Sequence, residues 1–213
     1  GSTNETSIGY FTSWLGPKLE KDIPYNGRVT RENGAKKPAN YDSASRLPYN
    51  VTGVINVAAD KTSVKNAVLK YGAVMSGYYD DKKYLSTDSN SYYLNEKLGQ
   101  NHAITIVGWD DDFSKDNFAI KPEIDGAWIV RDAQSEAFGD KGYFYVSFQS
   151  VSMGENPYVF TEVIEPQYSI YQHDELAFTG FREGINFATD EKDVLFNRYK
   201  AVSDSKIEKI GFY

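Results

Sequence analysis

The 213-residue chain contains no cysteine. That excludes disulfides and thiolate-bound metal sites, but it leaves the compartment open, because some bacterial surface proteins also avoid cysteine. Histidine is scarce as well. His102 and His173 lie far apart and form no His-x-x-x-His pair, so a zinc hydrolase has no ligand set of normal form. No apolar run approaches the roughly 18 residues of a membrane span. Residues Gly1 to Ser7 are polar and lack a basic-then-apolar leader pattern, although a leader lying upstream or already removed stays open. The formal net charge of −7 provides no basic face, which argues against nucleic acid and against anionic lipid. There is no internal repeat and no low-complexity tract.

What is present is the material of a packed, β-leaning fold. Hydrophobic residues make up 40% and charged residues 25%, and aromatic content reaches 15% with 17 tyrosines. Ser7 to Leu15 reads as a short helix stopped by Gly16-Pro17, and residues 16 to 50 as a long loop. Val51 to Val57 reads as a strand. A clear helix follows: Val64, Ala67, Val68 and Tyr71 recur at helical spacing, Thr62 or Ser63 is the expected N-cap, and Gly72 ends it. Ala73 to Tyr79 is a buried strand, and residues 80 to 100 a tyrosine-rich loop. Three strands come next, at Ala103 to Trp109, Ala127 to Arg131 and Tyr143 to Phe148. The fold class is α+β with mainly antiparallel strands. Gly154 to Pro157 and Glu165-Pro166 punctuate a linker, and short strands recur from Tyr168 onward at sandwich-like spacing. The chain stops at Tyr213 inside an apolar strand, which reads as an incomplete β-sandwich.

His102 opens the apolar strand Asn101-His102-Ala103-Ile104-Thr105-Ile106-Val107-Gly108-Trp109. A histidine there has its backbone fixed by a sheet while its ring can face a groove. From spacing alone, a satisfied strand-edge histidine is the commoner explanation. The acidic group Asp110, Asp111, Asp112 and Asp116 lacks the spacing and glycine of a calcium loop and reads as a solvated turn. No cofactor is implied.

Three ordered motifs make His102 more specific. The histidine strand resembles that of papain-like cysteine peptidases, in which an Asn- or Asp-His-Ala triplet precedes an apolar run ending in glycine and an aromatic. Gly126-Ala127-Trp128-Ile129-Val130-Arg131-Asp132 is similar to the family's Trp-Ile-Val-Lys-Asn strand, and Phe138-Gly139-Asp140-Lys141-Gly142-Tyr143-Phe144 to its Trp-Gly-acid-x-Gly-Tyr turn. Upstream, Trp14 to Pro17, Glu20 and Asp22 to Tyr25 resemble the family's Gly-x-x-x-Glu-x-x-x-Pro-Tyr segment. The resemblance covers about residues 1 to 150. It implies a papain-like fold, mainly the antiparallel histidine-bearing subdomain, with His102 as general base and acid and Asp132 orienting its ring. It also implies that Val74, Ser76, Asn101 and Ala103 line the pocket for the second residue before the scissile bond, with Gln134 beside the site. Ordinary packing is the alternative for those residues, and a surface carboxylate at a strand end is the alternative for Asp132.

The chain departs from the family pattern in three places. The nucleophilic cysteine is absent, so the resemblance implies that the cysteine-bearing part of the domain lies outside this sequence. The family's orienting asparagine is replaced by Asp132. The tryptophan that normally shields the histidine hydrogen bond is replaced by Gln134.

Tyr168 to Leu176 resembles the opening of the lectin-like domain of clostridial cell-surface cysteine proteases. The expected organisation is therefore a peptidase part at 1 to 150, a linker at 151 to 167 and the start of a lectin-like β-sandwich at 168 to 213. By this resemblance the protein is secreted or held at the cell wall. Its partners are a protein or peptide substrate, the missing part of the same domain and a cell-wall glycan. Two functional classes stay open: a cysteine endopeptidase whose nucleophile lies elsewhere, and a non-enzymatic peptide- or glycan-binding protein on the same scaffold.

Overall fold

A computed structural model describes residues 4–12, 50–133, 136–151, 153, 156–164, 200, 204 and 206–207. The chain divides into two compact units, Gly1–Asn50 with Ile164–Tyr213, and Val51–Val163. In the first, α1 spans Asn4–Thr12. It starts and stops three residues earlier than the sequence suggests, and the Thr12 hydroxyl donates to the Ile8 carbonyl at 2.8 Å in its last turn. The long loop at 16 to 49 and nearly all of the region read as a β-sandwich lie outside the described residues. Among the described residues no helix is long and apolar enough to cross a membrane.

The second unit is built on one sheet. Its strands are β1 (Asn50–Asn56), β2 (Val74–Tyr78), β3 (Leu85–Ser86), β4 (Ser91–Tyr92), β5 (His102–Asp110), β6 (Ala127–Arg131), β7 (Tyr143–Ser147) and β8 (Tyr158–Ile164). They lie in the order β1-β8-β2-β5-β6-β7-β4-β3. The pairs β2–β5, β5–β6 and β6–β7 are antiparallel, while β4 joins β7 in parallel.

Strand alternation creates a buried face. Val74, Ser76 and Tyr78 of β2 stand opposite Ile106, Ile104 and His102 of β5, and directly paired residues project to the same side. Val130 and Phe144 continue this face across β6 and β7. The helix α2 (Lys61–Tyr71) buries Val64, Ala67 and Val68, which join Val74, Ile104, Ile106, Val130 and Phe144 in one core. Burying an aliphatic side chain of this size stabilises by about 1.5–3 kcal/mol relative to leaving it exposed.

The N-cap of α2 is Asp60, not Thr62 or Ser63, and its carboxylate accepts the Ser63 N–H at 2.9 Å. Gly72 ends the helix at φ 86°, as expected of a residue free of a Cβ. Two further differences concern loops. Residues 80 to 100 carry β3, β4 and a 3-10 turn at Lys82–Tyr84. The stretch read as linker contributes β8, whose Tyr158 pairs with Met75.

Candidate active site

His102 begins β5 on the buried face, at the end of the core row that runs Ile106, Ile104, His102. Asp132 follows the last residue of β6 and therefore points to the same side as Val130. The two side chains meet: His102 Nε2 lies 3.0 Å from Asp132 Oδ2. The carboxylate is 2% exposed and the imidazole 25% exposed. A carboxylate only accepts, so the contact requires Nε2 to carry the proton and leaves Nδ1 as the nitrogen for proton exchange with a reacting group.

The glycine-rich turn sets the position of Asp132. Its N–H donates to the Gly142 carbonyl at 2.8 Å, and the Gly142 N–H donates to the Phe138 carbonyl at 2.7 Å. Asp140 and Tyr143 exchange backbone hydrogen bonds at 2.8 and 3.0 Å. Gly139 sits at φ 58°, and a Cβ there would overlap the Tyr143 carbonyl oxygen. The motif Phe138-Gly139-Asp140-Lys141-Gly142-Tyr143 thus acts as a clamp on the backbone that carries the carboxylate.

On the other side stands Tyr78, which is 1% exposed. Its ring meets the His102 ring edge-on, with centroids 5.7 Å apart at 67°. Tyr92 and Phe144 pack on it at 5.1 and 5.8 Å. The Asp80 carboxylate lies near enough to the Tyr78 phenol to act on it electrostatically. Burial, then the charges of Asp80 and Asp132, push this phenol's pKa far above the ordinary tyrosine value. Burial, then Asp80, does the same at Tyr92. Both rings therefore stay neutral.

The remaining candidates are placed differently. Val74 and Ser76 are fully buried on the core face, and the Ser76 hydroxyl donates to the Gly77 carbonyl at 3.3 Å. Asn101 is an exposed brace: its Oδ1 accepts the Asp80 N–H at 2.6 Å, its Nδ2 donates to the Asp80 carbonyl at 3.1 Å, and its own N–H donates to the Tyr78 carbonyl. Ala103 is exposed and pairs with Gly77 on the opposite face. The Gln100 amide covers Gly77 there, donating to its carbonyl at 3.1 Å. Gln134 and His173 lie outside the described residues. Of the acidic group, Asp111 is paired with Lys65 and Asp116 with Lys121, while Asp110 accepts the Asp112 N–H.

Sequence reading found the imidazole and its carboxylate but missed Tyr78 and the Asn101–Asp80 brace. An apolar run that ends in tyrosine looks the same whether its last ring packs on a core or on a histidine. The pairing of Tyr78 with His102 is long-range and has no local signature.

Comparison with known proteins identifies the fold and the family. The model of the papain family of cysteine proteases matches residues 1–161. No curated protein matches the chain in sequence. Among solved structures, the clostridial cysteine protease Cwp84, in a cysteine-to-alanine variant after propeptide cleavage, is 44% identical with a TM-score of 0.72. The match covers 78% of this chain and 42% of that one. The protease and lectin-like domains of Cwp84, a surface-layer-associated protein of Clostridium difficile, match at the same identity and TM-score over 78% and 37% of the two chains. The chain therefore spans less than half of either relative. The bromelain protease of Ananas comosus, in complex with the E64 inhibitor, shares the fold at 18% identity and a TM-score of 0.53, over 76% of this chain and 70% of that one. The chain belongs to the papain family of cysteine proteases.

Proposed function

We propose that this chain supplies the acid–base half of a cysteine endopeptidase, with His102 as the proton carrier and Asp132 as its orienting partner. The observation that supports the reading most is the 3.0 Å contact from His102 Nε2 to a carboxylate that is 2% exposed. The chain has no cysteine and by itself lacks the nucleophile. In the proposed reaction a thiolate from the complementary part of the domain attacks the peptide carbonyl carbon. The Nδ1 proton of His102 then passes to the departing amine as the C–N bond breaks. In the second half, Nδ1 takes a proton from water as water attacks the thioester, and the thiolate leaves. Asp132 holds Nε2–H throughout and steadies the imidazolium when it forms.

By likeness to Cwp84 the proposed substrates are cell-surface proteins, the proposed location is the cell surface, and residues 168–213 are proposed to open a lectin-like domain that takes a cell-wall glycan. Asn101, Ala103 and Gln134 are proposed to border the substrate groove. The absence of cysteine also favours a second reading, a binding protein on the same scaffold. Complementation separates the two. The chain is joined to a cysteine-bearing helix of a papain-family relative and exposed to a thiol-directed peptide probe. The enzyme reading expects labelling that falls at least about a hundredfold in His102→Ala. Peptide binding with no labelling, or labelling indifferent to His102→Ala, would sink it.

A further inference from the structure

We propose that Tyr78 is a positioning residue of this site: its ring, packed edge-on against the His102 imidazole, sets the ring plane and keeps water from the hydrogen bond to Asp132. The inference rests on the proposed role of the His102–Asp132 pair and assigns that pair a third member.

The contact is built from both ends. At one end the Tyr78 ring lies at 67° to the imidazole, with centroids 5.7 Å apart, an arrangement that favours one ring plane over others. Tyr92 and Phe144 hold the other sides of the ring, so it has nowhere to turn. At the far end, the Tyr78 backbone carbonyl accepts the Asn101 N–H at 3.1 Å. The Asn101 side chain also grips the N–H and the carbonyl of Asp80. Asn101 therefore holds the backbone on both sides of Tyr79, while the Tyr78 ring meets the ring of the residue that follows Asn101, His102.

Among the described residues, the ionisable groups that act on the Tyr78 ring include Asp132 after the end of β6, Asp80 beyond the end of β2 and Tyr92 from β4. Pure core packing would account for a buried side chain at position 78, but it would not require an aromatic ring edge-on to the imidazole.

The test reads the site in the chain itself. With nitrogen-labelled histidine, His173 serves as the internal reference, and the rate at which the His102 Nε2–H exchanges with water is measured together with the protonation pattern of the two ring nitrogens. Wild type is expected to show a protected Nε2–H; failure there would count against the His102–Asp132 pair itself. Given that protection, Tyr78→Leu is expected to speed exchange about tenfold and to mix the two ring tautomers. Tyr78→Phe, which keeps the ring, is expected to leave exchange and tautomer as in wild type. Tyr78→Met, apolar and flexible, decides the matter if Tyr78→Leu does not fold, and is expected to speed exchange in the same direction. Exchange and tautomer unchanged in a folded Tyr78→Leu or Tyr78→Met protein would overturn the proposal while leaving the pair intact.

Discussion

Asp132 is 2% exposed and carries its carboxylate at the end of a strand, where a polar group without a partner would be costly. His102 and the Gly142 carbonyl are the partners that make this burial tolerable: one takes the side chain, the other the backbone N–H. Asparagine in place of the carboxylate can still accept from Nε2–H, so Asp132→Asn should keep the contact. Asp132→Ala should lose it and destabilise the fold by about 1–3 kcal/mol, measured by chemical denaturation. Gly139 is the other residue whose identity the geometry dictates. At φ 58°, with the Tyr143 carbonyl where a Cβ would stand, Gly139→Ala should cost about 1–3 kcal/mol and loosen the clamp on Asp132. The same denaturation series checks this, and a stability equal to wild type would show that the turn can relax. At this scale much was legible beforehand. His102, Asp132 and the glycine turn announce themselves through ordered spacing. Tyr78 and Asp80 do not, because they reach the site only through pairing between β2 and β5.

Among elements, α2 shows how a local rule can be right in kind and wrong by a few residues. The apolar spacing at Val64, Ala67 and Val68 marks the helix correctly. Three neighbouring residues, Asp60, Thr62 and Ser63, offer capping oxygens, and only backbone geometry selects Asp60. Its carboxyl is held below 3.8 by hydrogen bonds from Ser63, side chain first and backbone second. A carboxyl whose pKa is depressed on folding adds stability above its unfolded value, and that stability is lost as pH falls through the folded value. Acidification below the ordinary carboxylate range should therefore weaken the start of α2. Asp60→Asn, which still caps but does not titrate, should remove this acid-dependent part, as followed by circular dichroism. An unaltered acid response would argue that other carboxylates dominate. The strand β8 shows the opposite failure. Tyr158-Val159-Phe160 has strong strand character, but Asn156-Pro157 before it and Glu165-Pro166 after it read as linker. Its neighbour β2 lies 83 residues earlier in sequence at the Tyr158–Met75 contact, beyond any local pattern.

For the molecule as a whole, β2, β5 and β6 form the centre on which the site is mounted, with α2 covering one face. Ile106, 1% exposed in the middle of that layer, should cost about 2–5 kcal/mol on truncation to alanine. Amide exchange should be slowest in these strands and faster toward β3, and uniform exchange across the sheet would contradict the layering. The papain-like character was legible in the order of three motifs. A rigid imidazole–carboxylate pair without a thiol gains catalytic meaning only from its geometry, since proton transfer depends on which nitrogen faces the reacting group. The measurement that tests this most directly is the nitrogen spectrum of the His102 imidazole in wild type and in Asp132→Ala. The geometry predicts a ring protonated at Nε2 and bare at Nδ1 when neutral, with that preference lost in the variant. A ring protonated mainly at Nδ1, or a spectrum indifferent to Asp132→Ala, would contradict it.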